Sequence, residues 1–258
     1  MEIWQLAFLL VCGIVTGAVN SVAGGGSLWM YPLLVSFGIP PIISNATSSI
    51  VVFPGTASAS VGYKKSIRQI PKHYFLILIP CILGSLLGAE LLHRTPDDTF
   101  KYIVPWFILI AAILLAAQPS IHKMMEKNKS KKPRHKISPG FVVLLLLTFA
   151  ISIYGGFFGA AFGIVLLAFL GFTELTSIEQ MNGLKSLAAL CVSGVASVYF
   201  IYRGLIYWPI LPALVIGTIL GGWFGATFSS KLPERSIRFV VVIISVLVAA
   251  FLFGQQYF

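Results

Sequence analysis

Charged side chains are scarce in this chain, which limits what it can be. Only 10% of its 258 residues are Asp, Glu, Lys or Arg, whereas soluble domains carry roughly 25%. Four long stretches contain none of these residue types: 3–63, 137–173, 204–230 and 239–258. A bilayer crossing needs about 20 mainly apolar residues, so the first stretch alone has room for up to three crossings. This composition excludes a soluble enzyme and predicts a multi-pass protein of the cell membrane.

Acidic residues are the rarest charged type, and their positions limit the chemistry further. The eight are Glu2, Glu90, Asp97, Asp98, Glu126, Glu174, Glu179 and Glu234. None lies near the centre of a predicted crossing, so a proton relay through a buried carboxylate has no support. The sequence also lacks a phosphate-binding loop, a His-Glu-x-x-His pair and a Gly-x-Ser-x-Gly elbow, and its three cysteines have no metal-like spacing. We therefore expect no catalytic residues and no cofactor.

Basic residues outnumber acidic ones by 18 to 8, and they cluster between the apolar stretches. The two most basic segments are 63–72 and 119–139. Because cytoplasmic loops of membrane proteins are enriched in Lys and Arg, both segments are predicted to be cytoplasmic. No basic face interleaved with aromatic residues lies outside the loops. The expected partner is therefore the lipid bilayer and not a nucleic acid.

The two halves of the chain repeat each other at a spacing of 137 residues. Asn45 and Asn182 form one such pair, and Ser49 and Ser186 form another. Further pairs are Gly26 and Gly163, Ser60 and Ser197, Gly84 and Gly221, Gly88 and Gly225, and Pro96 and Pro233. Duplication within a very apolar chain is typical of transporters built from two repeats. We predict a repeat at 1–118, a flexible basic linker at 119–139 and a second repeat at 140–258.

Glycine, proline and charge divide the apolar stretches into an all-α arrangement of ten segments. They are expected near 4–22, 27–38, 44–62, 73–92, 101–118, 140–155, 158–172, 179–202, 207–229 and 237–255. The loop 231–238 is basic, whereas its counterpart 93–100 has no basic excess. This difference predicts two inverted five-helix repeats with both termini outside. Segment 27–38 is short, so eight crossings with a half-helix in each repeat is the alternative.

Glycine clusters near the start of each half predict broken helices. Three consecutive glycines end a helix, and the next segment then begins with exposed amide groups and a partial positive charge that suits an anion. The alternative is close helix packing through small residues. The candidate substrate-binding residues here are Asn20, Gly24, Gly25, Gly26 and Ser27 in the first half, and Tyr154, Gly159 and Gly163 in the second.

A polar turn opens the third segment of each half. The candidate binding residues are Asn45, Thr47, Ser48 and Ser49, with Asn182, Lys185 and Ser186 as their second-half set. Each Asn has helix capping as an alternative role. The hydroxyls suit an oxyanion or a small cation, so a sodium site near Asn45, Thr47 and Ser48 stays open beside proton coupling and passive anion flow. Lys185 is an ionisable residue inside a crossing, which favours a role near the anion. Snorkelling toward the cytoplasm is its alternative.

These motifs together resemble the TauE/SafE sulfite exporter family, also called the TSUP family. The resemblance lies in Gly13-x3-Gly17-x2-Asn20-x3-Gly24-Gly25-Gly26-Ser27 with Pro32-Leu33, in the Asn45-to-Ser49 turn, in Gly155-Gly156-Phe-Phe-Gly159-Ala-x2-Gly163, and in Tyr202-Arg203-Gly204-Leu-Ile-x-Trp208. It spans nearly the whole chain. It implies a permease for small sulfur-containing anions such as sulfite or organosulfonates, with the two glycine breaks lining the path. The second polar turn departs from the family at Asn182-Gly-Leu-Lys-Ser186.

The sequence therefore predicts a membrane protein that moves a small anion by alternating access. An anion channel of the same fold and a non-transporting scaffold subunit remain the alternatives. The identity of the anion, the direction of transport and the oligomeric state are open, a homodimer included.

Overall fold

The chain folds into a bundle of α-helices. The structure, a computed structural model, describes residues 3–23, 26–127, 139–171, 173, 175, 177–228 and 234–257, and it contains no strand in these ranges. The helices are α1 (Ile3–Ala23), α2 (Gly26–Ser36), α3 (Pro41–Gly62), α4 (Lys64–Ile67), α5 (Leu78–Arg94), α6 (Asp97–Lys127), α7 (Pro139–Phe157), α8 (Phe162–Leu170), α9 (Ile178–Tyr202), α10 (Leu211–Phe228) and α11 (Glu234–Tyr257). Short 3₁₀ turns, Lys72–Ile77 and Trp208–Ile210, precede α5 and α10.

The order of elements in the first half returns in the second. Helices α1, α2, α3, α5 and α6 correspond in order to α7, α8, α9, α10 and α11, and the 3₁₀ turn recurs before the fourth member of each set. Only the short α4 has no counterpart among the described elements. The ten segments predicted from glycine, proline and charge each coincide with one of these helices. The domain boundaries and the inverted orientation of the halves remain predictions.

The bundle has the length and surface of a polytopic membrane protein. Within the described ranges, six helices are long and apolar enough to cross a bilayer: α1, α5 with its 3₁₀ turn, α6, α7, α9, and α10 with its turn. Helix α11 adds a shorter apolar stretch, Arg238–Gly254. The surface of α11 exposes large apolar side chains, Phe239, Leu247 and Phe251 among them. Such a surface is stable against lipid and not against water.

Helices α2 and α8 are much shorter than the others. With 11 and 9 residues, they extend about 16 and 14 Å, against a hydrocarbon core of about 30 Å. Helix α2 turns back along α1, because the ring of Phe8 near the start of α1 lies 6.2 Å from that of Phe37, just past α2. Two such antiparallel helices produce no net change of side. Counted as crossings, α2 and α8 bring each half to five, the odd number that inverted repeats need, whereas leaving them out gives four.

The two halves are interleaved and not merely side by side. Helix α1 packs along α10 and α5 along α7, so the first helix of each half meets the fourth helix of the other. Glycines make these approaches close: a Cβ at Gly88 would overlap the carbonyl oxygen of Ile153, and one at Gly221 would overlap that of Ile14. Helices α3 and α9 pack together, as do α6 and α11. This exchange of equivalent partners is the contact pattern of two copies related by a two-fold axis.

One predicted segment is longer in the structure. Helix α6 continues through Pro119 to Lys127 and so enters the stretch that we predicted as linker. Residues 123–127 are Lys-Met-Met-Glu-Lys, and all of these types favour helix. The charged residues among them predict the end of the membrane-spanning segment, but the helix continues past that point. Residues 128–138 lie outside the described part of the chain.

Candidate functional site

The helix break in the second half has a strained backbone held by two side chains. Helix α7 ends at Phe157 and α8 begins at Phe162, with φ of 79° at Gly159 and 61° at Ala161. A left-handed conformation at Ala costs roughly 1–2 kcal/mol. The hydroxyl of Tyr154 donates to the carbonyl of Ala160 at 2.7 Å. The amide of Asn45 donates to the carbonyl of Phe157 at 2.8 Å and so satisfies one group left free at the end of α7.

Not every glycine of this cluster lies in the break. Helix α7 continues through Gly155 and Gly156. Both glycines lie where neighbouring segments approach α7 closely. A Cβ at Gly156 would overlap the backbone of Ser85, and one at Gly155 would lie 2.9 Å from the side chain of Val192. Close packing, the alternative weighed for such glycines, accounts for these two, and Gly159 provides the turn.

The first-half break lies between Ala23 and Gly26. Gly24 and Gly25 were predicted to line the site, and they lie outside the described residues. Gly26 begins α2, and a Cβ there would lie 2.7 Å from Cβ of Asn20 and 2.7 Å from the carbonyl oxygen of Thr16. Glycine at this position lets α2 turn back tightly against the end of α1.

A cavity of about 1000 Å³, including the space at its mouth, lies between the two breaks. Seven predicted site residues line it: Asn20, Ser27, Ser49, Gly159, Gly163, Lys185 and Ser186. They come from α1, α2, α3, the α7–α8 connection, α8 and α9. The structure therefore brings together parts of both glycine breaks and of both polar turns. Their role in substrate binding remains a prediction.

The other described candidates lie outside the lining of this cavity. Two of them support the break in α7–α8, namely Asn45 and Tyr154. Thr47 accepts a hydrogen bond from the backbone amide of Tyr207 at 3.0 Å. It lies two residues before Ser49 on α3, and residues two apart on a helix point to different sides. Ser48 is buried and donates to the carbonyl of Asn45 at 2.8 Å. Gly26 packs against Asn20. The side chain of Asn182 makes no hydrogen bond to a described residue.

These placements bear on the sodium hypothesis. The Oδ1 atom of Asn45 is buried and has no hydrogen-bond partner among the described residues. The hydroxyl of Thr47 is engaged with Tyr207, and that of Ser48 with the backbone of Asn45. Thr47 thus serves to connect α3 with the segment that precedes α10. A sodium site near Asn45, Thr47 and Ser48 stays a prediction.

The described lining of the cavity combines one charged side chain with two helix starts. Of the described residues that line it, Lys185 is the sole charged one. The starts of α2 and α8 also reach the cavity, at Ser27 and at Phe162 and Gly163. A helix start carries a partial positive charge and amide groups that point outward along the axis. Lysine and two helix starts together favour an anion over a cation.

Lys185 enters the cavity through a gap that glycine provides. A Cβ at Gly163 would lie 3.3 Å from Cδ and 3.4 Å from Cγ of Lys185. The lysine is half-buried on α9, about 10 Å of helical rise from the first residue of that helix. Its stem therefore crosses the start of α8, and its side chain forms part of the cavity wall.

Thr56 and Ser193 also line the cavity, and sequence reasoning missed them. Both were detectable, because they are 137 positions apart and both follow a predicted lining residue at helical spacing. Ser49, Val52 and Thr56 stand at i, i+3 and i+7 on α3, and Ser186, Ala189 and Ser193 repeat this on α9. Tyr63 and Gln118 are further lining residues that no pattern had marked.

Glu90 belongs to another cluster, away from the cavity lining. Its carboxylate accepts a hydrogen bond from Arg203 at 3.2 Å and another from the hydroxyl of Tyr199. Arg94 also donates to it. These contacts tie α5 to the end of α9. Among the described lining residues of the cavity there is no carboxylate.

Interleaved helical halves with broken helices, and a cavity between them lined in part by hydroxyl side chains and a lysine, define a membrane transporter. The comparison with protein families agrees with this class. The profile of the sulfite exporter TauE/SafE family matches residues 9–252, and the chain belongs to that family. It is thus a multi-pass transporter of the cell membrane, from a family of transporters and not of enzymes.

Similar proteins carry names of the same kind. The chain is 26% identical over 246 residues to the probable membrane transporter protein ORF9 of Sinorhizobium sp, covering 95% of this chain and 90% of the relative. It is 28% identical over 252 residues to a probable membrane transporter protein of Haemophilus influenzae, covering 95% and 93%. The probable membrane transporter protein YfcA of Escherichia coli K12 is 24% identical over 246 residues, covering 95% and 88%. No solved structure matches the chain significantly.

Proposed function

We propose that this protein is a permease that moves a small sulfur-containing anion, such as sulfite or a sulfonate, by alternating access. The observation that carries the proposal is the cavity between the two helix breaks, with Lys185 as its charged lining residue. A compact oxyanion has three oxygens that can meet an ammonium group, backbone amides and hydroxyls at once. The name of the family, sulfite exporter, supports sulfur oxyanions as the class of substrate.

The arrangement of the halves supports alternating access. Equivalent helices exchange partners around the cavity, so a movement of one half against the other changes both ends of the path together. Inverted halves at 1–118 and 140–258, joined by a cytoplasmic linker at 119–139, are part of this proposal. So is a coupling cation, sodium or proton, that accompanies the anion. A scaffold subunit would need a packed and dry centre, and a cavity with serine, threonine and lysine side chains in its lining argues against it.

Transport into proteoliposomes tests the proposal. Purified protein is reconstituted, and uptake of ³⁵S-labelled sulfite is followed with and without unlabelled sulfite inside, under sodium and proton gradients of each sign. A permease gives saturable uptake that internal sulfite accelerates. Uptake that rises linearly with concentration and is not stimulated from the opposite side would instead identify a channel. Protein-free liposomes set the background.

A thermal-shift series identifies the anion within the class. Sulfite, sulfoacetate, taurine and thiosulfate are each added with and without sodium. A ligand that binds the native state raises the melting temperature, by an amount that corresponds to about 2.7 kcal/mol at a hundred times its Kd. An absence of any shift and of any uptake across the series would overturn the proposed substrate class.

A further inference from the structure

Five pairs of equivalent positions from the two halves line the cavity. Two of these pairs carry hydroxyls on both sides: Ser49 with Ser186, and Thr56 with Ser193. Three more pairs line it together: Ser21 with Phe158, Ser27 with Ile164, and Val52 with Ala189. A site built from equivalent positions lies where the two halves face each other. Such a site can be approached from either side of the membrane by equivalent routes.

The two ends of the cavity are not equivalent. Tyr63 lines it and is half-buried, whereas its counterpart Phe200 is 0% exposed. Lys185 lines it too, and its counterpart Ser48 is buried at 2% exposed. Tyr63 directly precedes the basic segment that begins at Lys64, which is predicted to be cytoplasmic. The cavity therefore extends toward the cytoplasm and not toward the outside.

Aromatic rings fill the space on the outer side. Phe158 lines the cavity, and its ring lies 5.9 Å from that of Tyr31 and 5.5 Å from that of Phe107. Tyr31 in turn lies 6.1 Å from Phe100, near the start of α6. We call these four residues the outer aromatic cluster. The counterparts of Phe158 and Tyr31 in the other half are small, Ser21 and Ala168.

An ion pair joins helices on the same side. Arg203, just past the end of α9, contacts Glu90 near the end of α5 at 3.2 Å. Their counterparts in the sequence are Ser66 and Thr227, which carry no charge. The contact that holds the outer ends together therefore has no equivalent at the cytoplasmic ends.

We infer that this structure is the inward-open state of a two-sided path, with the outer aromatic cluster as the closed outer gate. The inference rests on the proposed transport function. The central site, formed by Ser49, Ser186, Thr56 and Ser193, is shared by both states. When the gate opens, the halves exchange roles. Phe200 and Ser48 then line an outer cavity, while Tyr63 and Lys185 become enclosed.

Accessibility of single cysteines to a membrane-impermeant thiol reagent tests this inference. Cys12, Cys81 and Cys191 are first replaced by Ala, and Tyr63→Cys and Phe200→Cys are introduced separately as a matched pair. We expect Tyr63→Cys to react from the cytoplasmic side at least tenfold faster than Phe200→Cys reacts from the outside. Ser49→Cys and Ser48→Cys, a conservative pair on one helix, should show the same contrast. They keep the test valid if Phe200→Cys does not fold.

Weakening the gate should reverse the pattern. Tyr31→Ala removes the ring that contacts both Phe100 and Phe158, and we expect it to raise labelling of Phe200→Cys or Ser48→Cys from the outside at least tenfold, with slower labelling of Tyr63→Cys. Phe239→Ala, at a lipid-exposed position, is the matched control and should change neither rate. A folded Tyr31→Ala protein with unchanged labelling would overturn the inference.

The same measurement separates this inference from the proposed substrate, because labelling needs no substrate. The expected labelling pattern without any sulfite or sulfonate transport would overturn the substrate class and leave the two-sided path standing. A second outcome would overturn the closed outer gate alone. In it, the protein with Tyr31 intact transports sulfite, and the cytoplasmic member of each pair reacts from the cytoplasm as fast as the outer member reacts from the outside.

Discussion

The stem of Lys185 crosses the start of α8 directly over Gly163. The nearest approach of its Cδ to the position a Cβ would take there is 3.3 Å, which leaves little room for any other residue. The lysine on α9 and the glycine on α8 thus fit together as one element of the cavity wall. Sequence reasoning had selected both residues for separate reasons, and the structure joins them.

Gly163→Ala should weaken anion binding without unfolding the protein. The added methyl group forces the stem of Lys185 to shift, while the flexible side chain absorbs the contact. We expect severalfold weaker apparent affinity for the transported anion and a melting temperature close to that of the original protein. Concentration-dependent thermal shift measures both. Gly62→Ala, where nothing lies within 4 Å of a new Cβ, is the control. Equal affinity in the two variants would contradict the assigned contact.

Lys185→Ala should have the larger effect on transport. A hydrogen bond to a charged group contributes about 1.5–3 kcal/mol, so its loss should lower kcat/KM for uptake by roughly 10- to 100-fold. Uptake into proteoliposomes is the measurement. Lys101→Ala, which removes an exposed lysine paired with Asp98, should leave uptake unchanged. If Lys185 only snorkels toward the cytoplasm, the two variants will behave alike.

Asn45→Ala should destabilise the protein more than Asn182→Ala. The first change removes the side-chain amide that donates to the carbonyl of Phe157. This hydrogen bond stabilises the break between α7 and α8. A buried carbonyl left without a partner costs about 1–3 kcal/mol. The side chain of the counterpart Asn182 makes no hydrogen bond to a described residue. Melting temperatures of the two purified variants give the comparison. Equal losses would show that Asn45 does not support the break.

Helix breaks and segment order were predictable, because glycine, proline and charge act locally on the backbone. The positions of the side chains were less so. Duplication identifies Asn45 and Asn182 as equivalents, yet it cannot show that only Asn45 reaches a neighbouring carbonyl. Thr47 and Ser49 are two residues apart in one polar turn, and only Ser49 lines the cavity. Which side of α3 faces inward depends on packing against other helices.

Gly88→Ala should reduce the yield of folded protein. The new methyl group would overlap the backbone of Ile153 where α5 meets α7. Backbone atoms cannot move aside as a flexible side chain does, and overpacking costs about 1–3 kcal/mol or more. Size-exclusion profiles and melting temperatures in detergent detect the loss. Gly254→Ala, with no atom within 4 Å of the added carbon, is the control. A normal melting temperature for Gly88→Ala would argue against the close approach of these two helices.

We expect a small anion to bind between the two helix breaks. A crystal structure of the protein with 2-bromoethanesulfonate shows where it binds, because the anomalous signal of bromine identifies that atom in the electron density. We expect a bromine peak inside the cavity, with the sulfonate group toward Lys185 and the starts of α2 and α8, and loss of this peak in Lys185→Ala crystals. A peak found only outside the cavity, at a concentration that stabilises the protein in solution, would contradict this expectation.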